Sequence, residues 1–143
     1  MSIDEIYDLF IWDASYSPEE YEERERKGIA EASKMQNLYP FIQPTIIPAQ
    51  KSKSVWEPCA KVIAMRSDEE LEPFLHLLLE WLQDVNWPGE DIIFNRLAQM
   101  PIQRIEEALA FSKYIAGERN DKFWLAELNA LEKQMKEYVD RGK

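Results

Sequence analysis

The side chains that could carry chemistry are few, and the single histidine is the first to consider. His76 has Glu72 four residues before it and Glu80 four residues after it, so all three share one face if the segment is helical. A neighbouring carboxylate can raise the pKa of an imidazole and make it a proton carrier. The alternative is a solvated histidine with ordinary i,i+4 helical partners, and we favour this alternative.

Metal binding and nucleophilic catalysis find little support in the sequence. One cysteine, Cys59, excludes an internal disulfide, and a single cysteine with a single histidine cannot assemble the usual zinc ligand sets. Asp4 and Asp8 could hold a cation together with Asp13, but they fit the outer face of an amphipathic helix better. No phosphate-binding loop, dinucleotide-binding turn or nucleophile elbow is present. We therefore predict that the protein is not an enzyme, has no catalytic residue and uses no metal or cofactor.

Two polar segments are candidates for binding a partner. Asp84, Asn86 and Trp87 stand where a helix must turn, and they could line a groove for a peptide. In the alternative that we favour, Asp84 or Asn86 caps the next helix while Trp87 packs the corner. The second segment is the acidic run 19–25, for which the alternatives are a basic partner and a solvated helix face. Its candidate contact residues are Glu19, Glu22 and Glu23.

The stretch 38–54 contains three prolines, which break helices and favour an extended backbone. It also contains apolar residues that we expect to be exposed. They include Phe41, Ile46 and Ile47. These residues either wrap over the core or form a binding edge.

The composition indicates one folded domain spanning residues 1–143. The chain is 45% hydrophobic and has five tryptophans, which is more apolar than a disordered chain. Its net charge of -10 disfavours nucleic acid and anionic membranes as partners and is compatible with a basic protein, although many acidic proteins use their charge only for solubility. No apolar run approaches the roughly 20 residues that span a bilayer, and the N-terminal residues are acidic, unlike a signal peptide. We expect a cytoplasmic protein of unknown oligomeric state.

Helical periodicity and start signals dominate the chain, so we predict an all-α fold. About seven helices with short loops should stack as antiparallel hairpins, as in an α-solenoid, with N-terminal helices in 1–37, a connector in 38–54 and further hairpins in 55–143. The most apolar helix is predicted from Ser67 to Val85, its stripe including Leu71, Leu78 and Val85. The predicted core consists of Trp56, Leu75, Leu78, Trp81, Leu82, Leu97, Leu109 and Trp124.

Four helix starts can be predicted from local spacing. Ser17 with Pro18 and Glu20 is typical of an N-cap, and the same serine-to-glutamate spacing occurs at Ser54 and Ser67. The last helix should begin at a cap formed by Asn120 or Asp121.

The segment Ser67-Asp-Glu-Glu-Leu-x-Pro, followed by Trp81-Leu-Gln-Asp-Val-Asn-Trp-Pro88, resembles a family of small bacterial proteins of unassigned function. The resemblance covers about residues 56–131 and includes Asn120-Asp121-x-x-Trp124. It implies a HEAT-like fold of helical hairpins and offers no catalytic residues to transfer. At the level of the fold alone, the relatives resemble adaptor or immunity-type proteins.

Two functions of different classes follow. The first is a non-catalytic module that binds a protein or peptide, including immunity-type binding of a basic partner. The second is a small-molecule-binding regulator or weak enzyme with a pocket between helices near His76. A shallow acidic groove would favour the first, and a deep enclosed pocket would favour the second.

Overall fold

All regular secondary structure in the described residues, 1–42 and 53–141 of this computed structural model, is helical. The α-helices are α1 (Ile3–Phe10), α2 (Pro18–Ala32), α3 (Trp56–Ala64), α4 (Asp68–Leu71), α5 (Leu75–Leu79), α6 (Glu90–Ala98), α7 (Ile102–Glu118) and α8 (Lys122–Arg141). Four 3-10 turns accompany them, at Tyr39–Phe41, Lys53–Val55, Glu72–Phe74 and Glu80–Gln83. Because α4, α5 and their two turns form one continuous segment, the described chain has seven helical units. The all-α prediction is confirmed.

The predicted central helix is this interrupted segment, which we call the central segment, residues 68–83. Pro73 lacks an amide hydrogen and its ring clashes with the preceding turn of a regular helix, so the backbone tightens into a 3-10 turn there. At the other end the backbone of Asp84 is extended, which stops the helix two residues earlier than predicted. Val85 therefore leaves the apolar stripe and is 59% exposed, so its prediction as a stripe residue was wrong.

The local start signals are correct at three of the four predicted positions. Ser17 Oγ accepts the amide hydrogen of Glu20, and Ser67 and Glu70 form a reciprocal capping box. Asp121 caps α8 by accepting the amide hydrogen of Trp124 at 3.0 Å. The prediction for Ser54 was wrong, since α3 begins without a side-chain cap and Ser54 Oγ accepts the amide hydrogen of Trp12.

One hydrophobic core joins both ends of the described chain. Helices α1 and α2 form one hairpin and α7 and α8 another, while α3 packs on both α2 and α6. The indole N–H of Trp81 donates to the carbonyl of Ile42, and that of Trp124 donates to the carbonyl of Leu79 at 3.0 Å. Seven of the eight predicted core residues are buried. Trp56 is only half-buried at the edge of the core.

Three further side chains belong to this core. Cys59 is completely buried, and burial raises the pKa of its thiol. Phe41 and Ile42 are also completely buried, so Phe41 follows the alternative in which the stretch wraps over the core, and the alternative of a binding edge was wrong at this residue. None of the described helices is long and apolar enough to cross a membrane.

Candidate functional site

A groove of about 450 Å³ separates the end of the central segment from the start of α8. We call it the corner groove. One wall comes from residues 82–86 and the other from Asp121 and the first turns of α8. Its lining residues are Leu82, Gln83, Asp84, Val85, Asn86, Asp121, Phe123, Ala126 and Glu127. The groove thus combines three carboxylates with apolar side chains from both walls.

Local backbone geometry explains why the first wall is polar. Asp84 Oδ1 accepts the amide hydrogen of Asn86 at 2.8 Å, which closes a tight turn after the helix ends. The N-cap residue of α6 is Gly89, whose φ of 89° places it in the left-handed region, and no side chain caps the helix. The prediction that Asp84 or Asn86 caps this helix was therefore wrong. Both residues instead line the corner groove.

Trp87 packs the corner between two helices, as we favoured from the sequence, and does not line a groove for a peptide. Its ring lies edge-on to the ring of Trp56, with 6.1 Å between the centroids, and the residue is half-buried. It packs the corner and is absent from the groove lining.

Glu90 is a buried carboxyl group that the sequence analysis did not identify. It is only 5% exposed, and its Oε1 atom has no hydrogen-bond partner. Burial, a side-chain hydrogen bond with Glu127 and the charge of Glu127 together raise the pKa of Glu90 to about 8, with smaller contributions from the charges of Asp91 and Asp84. A detectable signal was the spacing of Glu90, Ile93 and Leu97, which places the acid on the buried face of α6.

Phe123 is the second groove residue that the sequence analysis missed. It is 84% exposed beside the buried Trp124. On residues 122–137 of α8 the buried positions are Trp124, Leu128, Leu131 and Met135, so an aromatic residue at position 123 stands off the core stripe. That mismatch was visible in the sequence.

The site around His76 is small, and one of its two carboxylates is engaged elsewhere. Glu72 accepts from Arg104 at 2.9 Å. The imidazole is exposed and lies edge-on to Phe111, with 5.3 Å between the ring centroids. The adjacent pocket, which Glu80 also lines, has a volume of about 140 Å³.

The acidic run on α2 is partly neutralised within the protein. Glu23 pairs with Arg26, and the neighbouring Glu25 pairs with Lys61 of α3. Glu22 lines a shallow depression that also contains those two cations. Glu19 is exposed in the first turn of α2.

The remaining candidates divide between the core and the chain outside the described residues. Phe41 lies in the core, whereas Ile46 and Ile47 fall outside the described residues. Within the described ranges, no group of three or more histidine, cysteine, aspartate or glutamate side chains could hold a metal ion.

Comparison with known proteins adds one relationship. No curated protein and no solved structure matches the chain. Residues 46–141, about two thirds of the sequence, match the family described as Domain of unknown function (DUF5071). The match contains both walls of the corner groove, together with Glu90. The chain belongs to this family of uncharacterised domains.

Proposed function

We propose that the protein is a non-catalytic interaction module that binds a basic segment of a partner protein in the corner groove. The observation that carries this proposal is the lining itself, in which Asp84, Asp121 and Glu127 form no ion pair with any described residue and lie beside two large exposed apolar side chains. The HEAT-like stacking of hairpins and an immunity-type role are part of the same proposal. The α1–α2 and α7–α8 hairpins are compatible with such stacking.

Charge complementarity supports a basic partner. Among the described residues, none of the three groove carboxylates forms an ion pair, whereas acidic residues on other faces do, such as Glu132 with Lys113 and Lys136. An unpaired carboxylate cluster on a protein with a net charge of -10 attracts cationic segments and speeds their association.

The apolar part of the groove supports a protein partner over a small ion. Phe123 and Val85 are the exposed apolar residues of the two walls, at 84% and 59% exposure. Burial of an exposed aromatic side chain against a partner stabilises the complex, and the energetic hot spots of interfaces are enriched in aromatic residues. A segment with a cationic side chain next to an apolar one would satisfy both parts of the lining.

The rival function, a small-molecule regulator or weak enzyme using His76, has less support. The pocket beside His76 is about 140 Å³, below the roughly 300–1,000 Å³ typical of ligand sites. The corner groove is large enough for a ligand, but the polar groups that line it are carboxyl and amide groups, with no hydroxyl, thiol or imidazole to act as a nucleophile.

The proposal can be tested by site-specific photo-crosslinking in the cells that produce the protein. The photoreactive amino acid p-benzoylphenylalanine replaces Phe123 in one variant and Phe111, an exposed residue away from the groove, in the control. We expect a discrete protein adduct from position 123 only. The adduct should disappear in a Glu127→Lys background and persist in a Glu137→Lys background, since Glu137 lies on the same helix outside the groove. Equal adducts at both positions, or an adduct insensitive to Glu127→Lys, would contradict the proposal.

A further inference from the structure

We propose that the corner groove receives one guanidinium group of the partner at Glu127, and that its binding expels a proton shared by Glu127 and Glu90. This inference rests on the proposed function, and adds to it the chemical group that is recognised and a dependence of binding on pH.

The geometry that carries the inference is a pair of carboxyl groups at the back of the groove. Glu127 lines the groove, and its side chain forms a hydrogen bond with that of Glu90. Two ionised carboxylates are both acceptors, so a hydrogen bond between them requires one proton. Oε1 of the buried Glu90 also receives no hydrogen bond from an N–H or O–H group of the described residues. The pair is therefore incomplete as a hydrogen-bonded unit and accessible from one side through Glu127.

The charges that raise the pKa of Glu90 are all negative. Asp91 lies on the same helix as Glu90, Asp84 lies across the turn, and Glu127 comes from α8. No lysine or arginine in the described ranges forms an ion pair with any of these four acids. The raised pKa of Glu90, about 8, agrees with a pair that holds one proton at neutral pH. A cation from outside is the component that this arrangement lacks.

The exchange conserves charge and atoms. In the free protein one carboxyl group is protonated and the other is ionised. When a guanidinium group binds, the proton leaves to solvent and the two carboxylates face the cation. A guanidinium fork can donate two parallel hydrogen bonds to a carboxylate and stays protonated at every accessible pH, so arginine suits the site better than lysine. Affinity should therefore rise with pH, by up to about tenfold per unit, until the pH passes the pKa of Glu90.

Titration calorimetry with a defined probe tests this inference. The probe is a tetra-arginine peptide, and the control peptide is tetra-citrulline, which has a similar shape and no charge. Each titration is run at neutral pH in phosphate and in Tris, whose ionisation enthalpies differ. The difference in observed enthalpy then gives the number of protons released. The protein variants are Glu90→Gln and Glu127→Gln, with Glu137→Gln as the matched control on α8.

We expect the native protein and Glu137→Gln to bind tetra-arginine with release of a large fraction of one proton, and to bind tetra-citrulline undetectably. Glu90→Gln should bind without proton release, because an amide holds no exchangeable carboxyl proton. Binding that Glu127→Gln weakens but that releases no proton in the native protein would overturn this inference and leave the proposed function intact. Binding that is absent, or equal in Glu127→Gln and Glu137→Gln, would overturn the proposed function itself.

Discussion

At the scale of single residues, two glycines with opposite surroundings give a matched test of the packing. A Cβ atom at Gly28 would stand 2.5 Å from Cε1 of Phe10, because α1 and α2 cross closely there, whereas a Cβ at Gly117 would meet nothing within 4 Å. We expect Gly28→Ala to destabilise the fold by about 1–3 kcal/mol through overpacking. Gly117→Ala should stabilise it by about 0.4–1 kcal/mol, since alanine restricts the unfolded chain. Urea denaturation measures both changes, and effects of equal sign would contradict the described helix crossing.

Glu90 gives a second residue-scale prediction, in which stability depends on pH. Between the ordinary carboxyl pKa of 4.5 and about 8, the folded state holds a proton that the unfolded state has lost. Stability from this group is therefore complete at low pH and declines as the pH rises through that window. We expect Glu90→Gln to melt a few degrees above the native protein at pH 9 and nearly with it at pH 5.

The control for this prediction is Glu137→Gln, which removes the same charge from an exposed position. Its melting temperature should follow that of the native protein at both values of pH. A Glu90→Gln variant whose difference from the native protein is the same at pH 5 and pH 9 would show that Glu90 titrates normally.

At the scale of helices and turns, Arg66 joins the N-terminal hairpin to the rest of the protein. One of its terminal nitrogens, Nη2, donates to the carbonyls of Ala32, Ser33 and Met35 at 3.3, 3.1 and 2.7 Å. The last carbonyls of a helix otherwise lack partners, so this side chain completes the end of α2. Its Nη1 atom pairs with Glu70 at 2.8 Å.

We expect Arg66→Lys to lower the free energy of unfolding by about 1.5–3 kcal/mol, because a single ammonium group cannot reach all of these acceptors. Arg104→Lys is the comparison, since within the described ranges Arg104 forms surface ion pairs with Glu69 and Glu72 alone. That change should cost less than about 1 kcal/mol. The denaturation midpoints of the two variants measure these changes. Equal losses of unfolding free energy in both variants would be incompatible with a structural role specific to Arg66.

The elements also show which features a single sequence can reveal. The caps by Ser17, Ser67 and Asp121 were predictable, because each donor lies three residues from its acceptor. Ser54 was not, because its partner Trp12 is 42 residues away. The burial of Phe41 and of Glu90 likewise depends on contacts between distant elements. Two residues of the corner groove, Asp84 and Asn86, could be identified from the sequence because they lie at a helix end. The residues of the opposite wall could not, because their part in the groove depends on where α8 lies in three dimensions.

At the scale of the whole molecule, the family match and the core have different boundaries. The matched residues begin at 46, yet Ile6, Phe10, Leu38, Phe41 and Ile42 are buried in the same core as the matched helices. The indole of Trp81 also donates to Ile42.

We therefore expect a fragment of residues 46–141 to lose cooperative unfolding. Burial of one large apolar side chain contributes about 1.5–3 kcal/mol to the free energy of unfolding. The fragment lacks five of these side chains, and the sum of the five contributions approaches the roughly 5–15 kcal/mol that is the whole stability of a domain. Circular dichroism during urea titration, together with dye binding to exposed apolar surface, compares the fragment with residues 1–141. A fragment with an unchanged, sharp transition would show that the N-terminal hairpin is an accessory to an independent domain.

The complete burial of the one cysteine has a practical consequence for the study of this protein. Because Cys59 is the chain's one thiol and is inaccessible in the folded state, a thiol reagent can modify it only when the core opens. When the core closes faster than the reagent attacks, the labelling rate divided by the rate for an unstructured thiol equals the opening equilibrium constant. The native chain therefore reports its own conformational fluctuations in plain buffer, without denaturant, dye or an engineered label. Protection of this thiol by a ligand would measure, at equilibrium, how strongly occupation of the corner groove stabilises the core.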